Sequence, residues 1–463
     1  MQIMIIGIRV TLLSWACAFL AIGVARAAEE PQFKVTEKSM GPMLPTAVWD
    51  SLTVSSDSRH FAYIAVRGGQ WLVVQDGKEG KRYDRVAALE FAPDNKTLAY
   101  GARREGKWML VTGENEGQEY DELVAGSLTF STDGKHLAYI GKRADKFVVI
   151  TDGKEGKAYD GVGNGSLTYS PDSLQLAYGV IRDNQQFMVQ NGVEGKPFSS
   201  IDSPRFSPNS KRLAYAVERG GKWTINLDGK LGADYDGISN IRFSPDSKRI
   251  VFAAMRNKTW FVVVDDKESA SWEGIGAKTP VFSPDSKRVA YVARKSDKSR
   301  VVVDGEPGKE YENILDGTLV FSPDNKHFAY SAGRPNKAVV VLDGKESSIY
   351  DGIAGGCPIF SPDSSRIIFA AAFSGKWRVV TGQEEHHLCD LIGKDTLSFS
   401  PDGKRVAWTE LRNRKWFLVV DGKDIKEFDT ILRESKIVFD GPNTLHTLAE
   451  RDFDVLRVSV TLK

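Results

Sequence analysis

The heptapeptide FSPDSKR occupies residues 243–249 and returns unchanged at 282–288, thirty-nine residues later. With the Asp of SPD as a register mark, related turns stand at Asp57, Asp94, Asp133, Asp172, Asn209, Asp246, Asp285, Asp324, Asp363 and Asp402, spaced by 37 or 39 residues. A degenerate eleventh copy begins at VFDGPNTLHTLAERDFDVLRVSV. A chain of 463 residues exceeds one ordinary core unless that core is assembled from repeated units. The copies run from about residue 46 to the last residue.

Each copy reads as a small sheet. SLTF or NIRF alternates apolar and polar residues as a half-buried strand does, and SPDSK follows as a turn in which Pro presets φ and Asp can accept backbone amides. RVAYVA is a second strand, a polar tip such as RKSDK follows, and WFVVVDG is a β-branched third strand. DGKEGKEYDGI then forms a hairpin with a short fourth strand. Four strands in a period near 40 make one propeller blade. A helical solenoid is excluded by the dense turns and by the lack of apolar residues at period 3.6.

The expected fold is therefore all-β, a β-propeller of about eleven four-stranded repeats of 37–40 residues. Single rings usually close with four to eight blades, so two tandem propellers of five and six are expected, split near residues 200–245. The competing arrangement is one ring, in which QFKVTE, within the N-terminal segment 28–45, supplies a fourth strand to the truncated last copy. The FSPDSKRVAY pattern resembles the WD40-like, TolB-type β-propeller repeats of exported bacterial proteins, over the whole chain after its leader. The resemblance implies a periplasmic or secreted protein that works by binding other proteins.

Residues 1–27 read as a signal peptide: Arg9, an apolar run from Val10 to Val24, then Ala25-Arg26-Ala27 before the cleavage point. The run is short against the roughly 20 residues that span a bilayer, so no stable membrane insertion is expected after cleavage. Lys plus Arg number 62 and Asp plus Glu 61, which gives no overall attraction to nucleic acid. After the leader, Cys357 and Cys389 remain, in the first and fourth strands of one blade and about three strand spacings apart, beyond disulfide reach.

Two series recur at fixed offsets from the mark. Ten residues on stands a base: Arg67, Arg104, Arg143, Arg182, Arg219, Arg256, Lys295, Arg334 and Arg412. These are candidate partner-binding residues, whose guanidinium forks could grip an acidic partner or polysaccharide. The bland alternative pairs them with the acids of the YD motif, Asp84, Asp121, Asp160, Asp236, Asp351, Asp390 and Asp429, leaving Asp390 free where Phe373 replaces the base. Fourteen residues on stands an aromatic: Trp71, Trp108, Phe147, Trp223, Trp260, Trp377 and Trp416, which either packs blades together or stacks a ligand.

The most irregular stretch is QEEHHLCDLIG, where His386 and His387 are the weak metal candidates beside Glu384, Glu385, Cys389 and Asp390. Neighbouring side chains on a strand point to opposite faces, so they do not converge, and no metal or cofactor is expected. No nucleophile elbow, zincin motif or phosphate loop occurs, so no catalytic residue is assigned. The expected function is a periplasmic scaffold binding an envelope protein. A carbohydrate or small-ligand binder, extending to a polysaccharide-active enzyme, is the alternative.

Overall fold

The computed structural model describes residues 33–163, 165–202 and 204–463, so the leader expected at 1–27 lies outside the described residues. Among the described residues there is no helix, and hence none long and apolar enough to cross a membrane. The strands form eleven antiparallel sheets, one for each repeat. In chain order they are blade 1 (47–83), blade 2 (85–120), blade 3 (122–159), blade 4 (161–198), blade 5 (200–235), blade 6 (237–272), blade 7 (274–311), blade 8 (313–350), blade 9 (352–389), blade 10 (391–428) and blade 11 (430–462).

All eleven belong to one ring, which corrects the expectation of two tandem propellers. An apolar cluster lies between every pair of successive blades, including blades 5 and 6, so the chain makes no crossover near 200–245. A further cluster joins blade 11 to blade 1 through Leu432, Leu448 and Val455 against Leu52, Phe61 and Leu72. The N-terminal strand Phe33–Pro42 lies along the last strand, Asp454–Leu462, with Phe33 opposite Leu462 and Ser39 opposite Leu456. It stands where other blades carry their fourth strand.

The recurrence of FSPDSKR follows from its bonds. Ser244 Oγ donates to Asp246 at 2.6 Å and accepts the Arg249 amide at 2.9 Å, closing the turn. The Asp246 amide donates to Ser286 Oγ of the next blade at 2.9 Å, and Ser286 is the residue after that blade's own mark. Ser247 receives the Asn209 amide of the preceding blade in the same way. Arg249 pairs with Asp265 at 2.7 Å within its blade, donates to the Ser286 and Lys287 carbonyls of the next, and lies 5.3 Å over the Phe282 ring. Each copy of the turn thus holds itself and its neighbour. Blade 11 has no SPD turn, and there the Lys436 amide, just before the second half of its inner strand, donates to Ser58 of blade 1 at 2.8 Å.

In most blades the innermost strand is broken midway. In blade 3 its halves, Glu122–Leu123 and Thr129–Phe130, both pair with Leu137–Arg143. Ser127 fills the break, donating to the Val124 carbonyl at 2.7 Å and accepting the Ile140 amide at 3.1 Å. Ser166, Thr279, Thr318, Thr396 and Ser435 accept the corresponding amide in their own blades. In blade 9 this place is held by Cys357. The break turns the inner rim into a row of small concave loops.

Candidate functional site

The bases of the series stand at the end of each second strand, and its eight arginines are held within the molecule. Arg104 reaches Glu116 at 2.8 Å, Arg143 reaches Glu155 at 3.0 Å, Arg182 reaches Glu194 at 2.7 Å and Arg256 reaches Glu268 at 2.9 Å. Arg67 holds Glu79 at 2.6 Å, Arg334 holds Glu346, Arg219 holds Asp234 at 3.3 Å and Arg412 holds Asp424 at 2.5 Å. The partners lie on the fourth strand, not in the YD motif as the sequence reading had it.

The preceding blade joins the same pair. The Tyr120 hydroxyl of blade 2 donates to Glu155 of blade 3 at 2.9 Å, and Arg143 lies 5.1 Å over the Tyr120 ring. Tyr83 with Glu116, Tyr159 with Glu194, Tyr235 with Glu268, Tyr311 with Glu346 and Tyr350 with Glu385 repeat the contact. Arg104, followed by Tyr83, holds the Glu116 carboxyl down to about 2, and Arg334 does the same for Glu346. At the ring closure Arg451 of blade 11 finds its acid on the N-terminal strand, Glu37, at 2.8 Å.

The YD acids serve a separate role. Asp121 takes the Lys107 ammonium at 2.5 Å and the Ala144 amide of the next blade at 2.7 Å. Asp160, Asp236, Asp351, Asp390 and Asp429 take the equivalent lysine and amide, and Asp84 takes the Glu105 amide. Asp390 is therefore not freed by Phe373. It holds Lys376 and the Asn413 amide, while Arg378, 5.2 Å over the Phe373 ring, pairs with Glu385 in place of the missing base.

The tryptophans are half-buried on the faces between blades. Trp71 packs into the seam between blades 1 and 2, with Arg85 4.5 Å over its ring, and Trp223 packs into the seam between blades 5 and 6. Trp260 pairs across to Trp272 in blade 6. Trp108, Trp377 and Trp416 instead line cavities of about 530, 860 and 340 Å³ at the seams 2/3, 9/10 and 10/11. Gly101, Ala370 and Thr409, each seven residues after its mark, line the same cavities.

A fourth cavity, of about 660 Å³, runs along the inner rim from blade 11 across blades 1 and 2 to blade 3, with Glu90, Glu434 and Lys436 on its walls. It shares Lys436 with the cavities at 9/10 and 10/11 and Leu128 with the cavity at 2/3. The four make one concave arc over six consecutive blades of the ring.

The QEEHHLCDLIG stretch lies at the 9/10 seam, where the Tyr of the other clasps is replaced by Cys389. At the 2/3 seam a Cβ on Gly141 would stand 2.6 Å from the Tyr120 ring, so only a very small residue fits against that tyrosine. Opposite Cys389 the corresponding residue is Glu410, whose side chain is 2% exposed. Its carboxylate accepts Trp408 Nε1 at 2.7 Å, pairs with Arg412 Nε at 2.7 Å and bonds His387. Sequence reasoning missed Glu410, although the other marked copies carry Ala, Gly or Val at that offset.

His387, Glu410 and Asp424 offer ligand atoms within 4.8 Å of one another, with Arg412 bridging the two acids as their cation. His386 points elsewhere. Its ring centroid is 4.9 Å from that of Trp408, its Nε2 is 3.2 Å from Thr381 Oγ1, and burial pushes its pKa down. Cys357 and Cys389 are free and buried, and burial pushes the Cys389 thiol up to about 12.

The geometry defines a closed eleven-bladed β-propeller with a cavity-lined inner rim. No family model matches the chain, and no curated protein matches it in sequence. Among solved structures it is similar to a eukaryotic initiation factor, with 13% identity over 67% of this chain and 89% of that one and a TM-score of 0.41. The β-propeller domain of the Trilobed protease from Pyrococcus furiosus is 17% identical over 56% of this chain and 94% of that one, with a TM-score of 0.29. TolB from Acinetobacter baumannii is 15% identical over 70% and 78%, with a TM-score of 0.26.

Proposed function

We propose that this chain is an exported interaction scaffold, with WD40-like repeats of the TolB type, that receives an envelope protein along the inner rim of blades 9–11 and 1–3. The observation that carries the reading is the shared lining of the four cavities, which gives one side of the ring a continuous concave surface. The repeated arginines support this rim as the contact, because their forks are turned to acids of their own blades. Export rests on the leader at 1–27, and N-terminal sequencing of the protein from the periplasm is expected to begin at Ala28.

The test is site-specific photocrosslinking in the native envelope from Leu128 and Lys436, with Val193, 71% exposed on blade 4, as the control. A single protein adduct from the two rim positions and none from Val193 is expected. No adduct, or equal adducts from all three, would overturn the reading. A glycan ligand is the second reading, supported by Trp108, Trp377 and Trp416 on cavity walls and by Glu90 and Glu434 in the lining of one cavity. Retention on envelope polysaccharide, lost in the triple Trp→Ala variant, would select it.

A further inference from the structure

We infer that the cavity between blades 9 and 10 is a binding site for a small organic anion with an apolar body, an aryl or acyl carboxylate or sulfonate. The inference goes beyond the scaffold reading and does not need it. At about 860 Å³ the cavity has the size of sites that enclose drug-sized ligands. Its walls are Trp377, Ile359, Leu391, Ile392 and Leu397, and Leu391 remains 47% exposed.

The floor carries no hydroxyl from blade 9, just as blade 2 offers only Ala88 at the same position of the 2/3 seam. Where Ser127, Thr318 and Thr396 set a hydroxyl into the inner-strand break, blade 9 has Cys357, which behaves as a small hydrophobe. The break itself is Gly355-Gly356, and nothing stands within 4 Å of where either Cβ would be.

The mouth fixes the sign of the ligand's charge. Lys394, Lys436 and Asp395 stand there, and Asp395 lies 3.9 Å from Lys394, so the lysines outnumber the acid. Lys436 is exposed and carries no ion pair among the described residues. The cavity at the 2/3 seam is the internal comparison: it has the same architecture, with Gly101 and Trp108 in the places of Ala370 and Trp377, but two acids, Asp121 and Glu122, against one base, Arg103, in its lining. An amphipathic anion is therefore directed to 9/10 rather than to 2/3, with its charge toward Lys436 and its apolar body toward Cys357.

The test uses the whole chain and 8-anilinonaphthalene-1-sulfonate as the fluorescent probe. One saturable site is expected, displaced by 2-naphthoate or decanoate and not by 2-naphthylmethylamine, which has a similar body and the opposite charge. Lys436→Glu is expected to weaken binding at least tenfold with an unchanged melting temperature, and Ala370→Leu, which fills the cavity, to abolish it. Gly101→Val, which fills the 2/3 cavity, leaves binding as it was. Bound 2-naphthoate should also slow maleimide labelling of Cys357, read peptide by peptide. Equal displacement by the amine, or undiminished binding in Lys436→Glu, would overturn the inference even if Ala370→Leu failed to fold.

Discussion

The seams 2/3 and 9/10 solve one packing problem in two ways. At 2/3 a tyrosine ring lies against Gly141, and its hydroxyl joins Arg143 on Glu155. At 9/10 the ring is gone, and the space beside Cys389 is taken from the other side by Trp408 and Glu410. At 9/10 a second carboxylate, Glu410, stands in the seam beside the fourth-strand Asp424, and Arg412 holds both. What the two share is an acid held by an arginine of the following blade. The lesson is that the clasp specifies an acid and an arginine at the seam, while the residue that fills the volume between them is exchangeable.

The comparison is broken most severely by Glu410→Ala. Trp408 and His387 lose their acceptor and Arg412 keeps only Asp424, and a loss of about 3 kcal/mol is expected in denaturant unfolding. Pairing it with Cys389→Tyr and Trp408→Tyr, which rebuilds the ordinary seam, should recover most of that loss. Without such recovery the two seams are not alternative solutions. The reverse transplant starts from Gly141→Val, whose added carbons meet the Tyr120 ring at a cost of about 1–3 kcal/mol. Tyr120→Cys in the same chain should relieve it, measured by melting temperature.

Acid separates the seams next. Glu116 and Glu346 are held at about 2 in the folded ring against an ordinary value near 4.5. Their clasps stabilise fully above that ordinary value and lose their contribution as pH falls toward 2. Melting temperature should therefore drop between pH 5 and pH 2, and the Glu116→Gln variant should drop less steeply than the parent. The smallest effect is expected from Lys107→Ala, which removes an exposed partner of Asp121 and leaves the amide of Ala144 on that carboxylate. Its melting curve should coincide with that of the parent.

The blade was legible because its signals are local. Pro and Asp in SPD mark the turn, β-branched runs mark the strands, and both recur at fixed spacing. The number of blades per ring was not, because closure depends on the angle between packed sheets, which spacing does not encode. The partner of each arginine was legible and was read wrongly. A Glu stands twelve residues after Arg67, Arg104, Arg143, Arg182, Arg256 and Arg334, a regularity as strict as that of the YD acids. The rim arc was hidden because it arises from pairs far apart in sequence, such as Leu128 and Lys436 on opposite sides of the closure. Cys389 and Glu410 could each be seen as exceptions, but only the fold sets them against each other.

The strand Phe33–Pro42 lies beside Asp454–Leu462, so the earliest described segment to be synthesised is matched to the latest. Until the C-terminal blade exists, that segment has nowhere to dock, and the growing chain is an open fan with an unshielded apolar face at each end. Each added blade covers one such face and presents another, so a nascent ring of this kind stays adhesive at two faces until it closes. A holding chaperone would have those two terminal faces to cover, and its task ends only when the last blade docks.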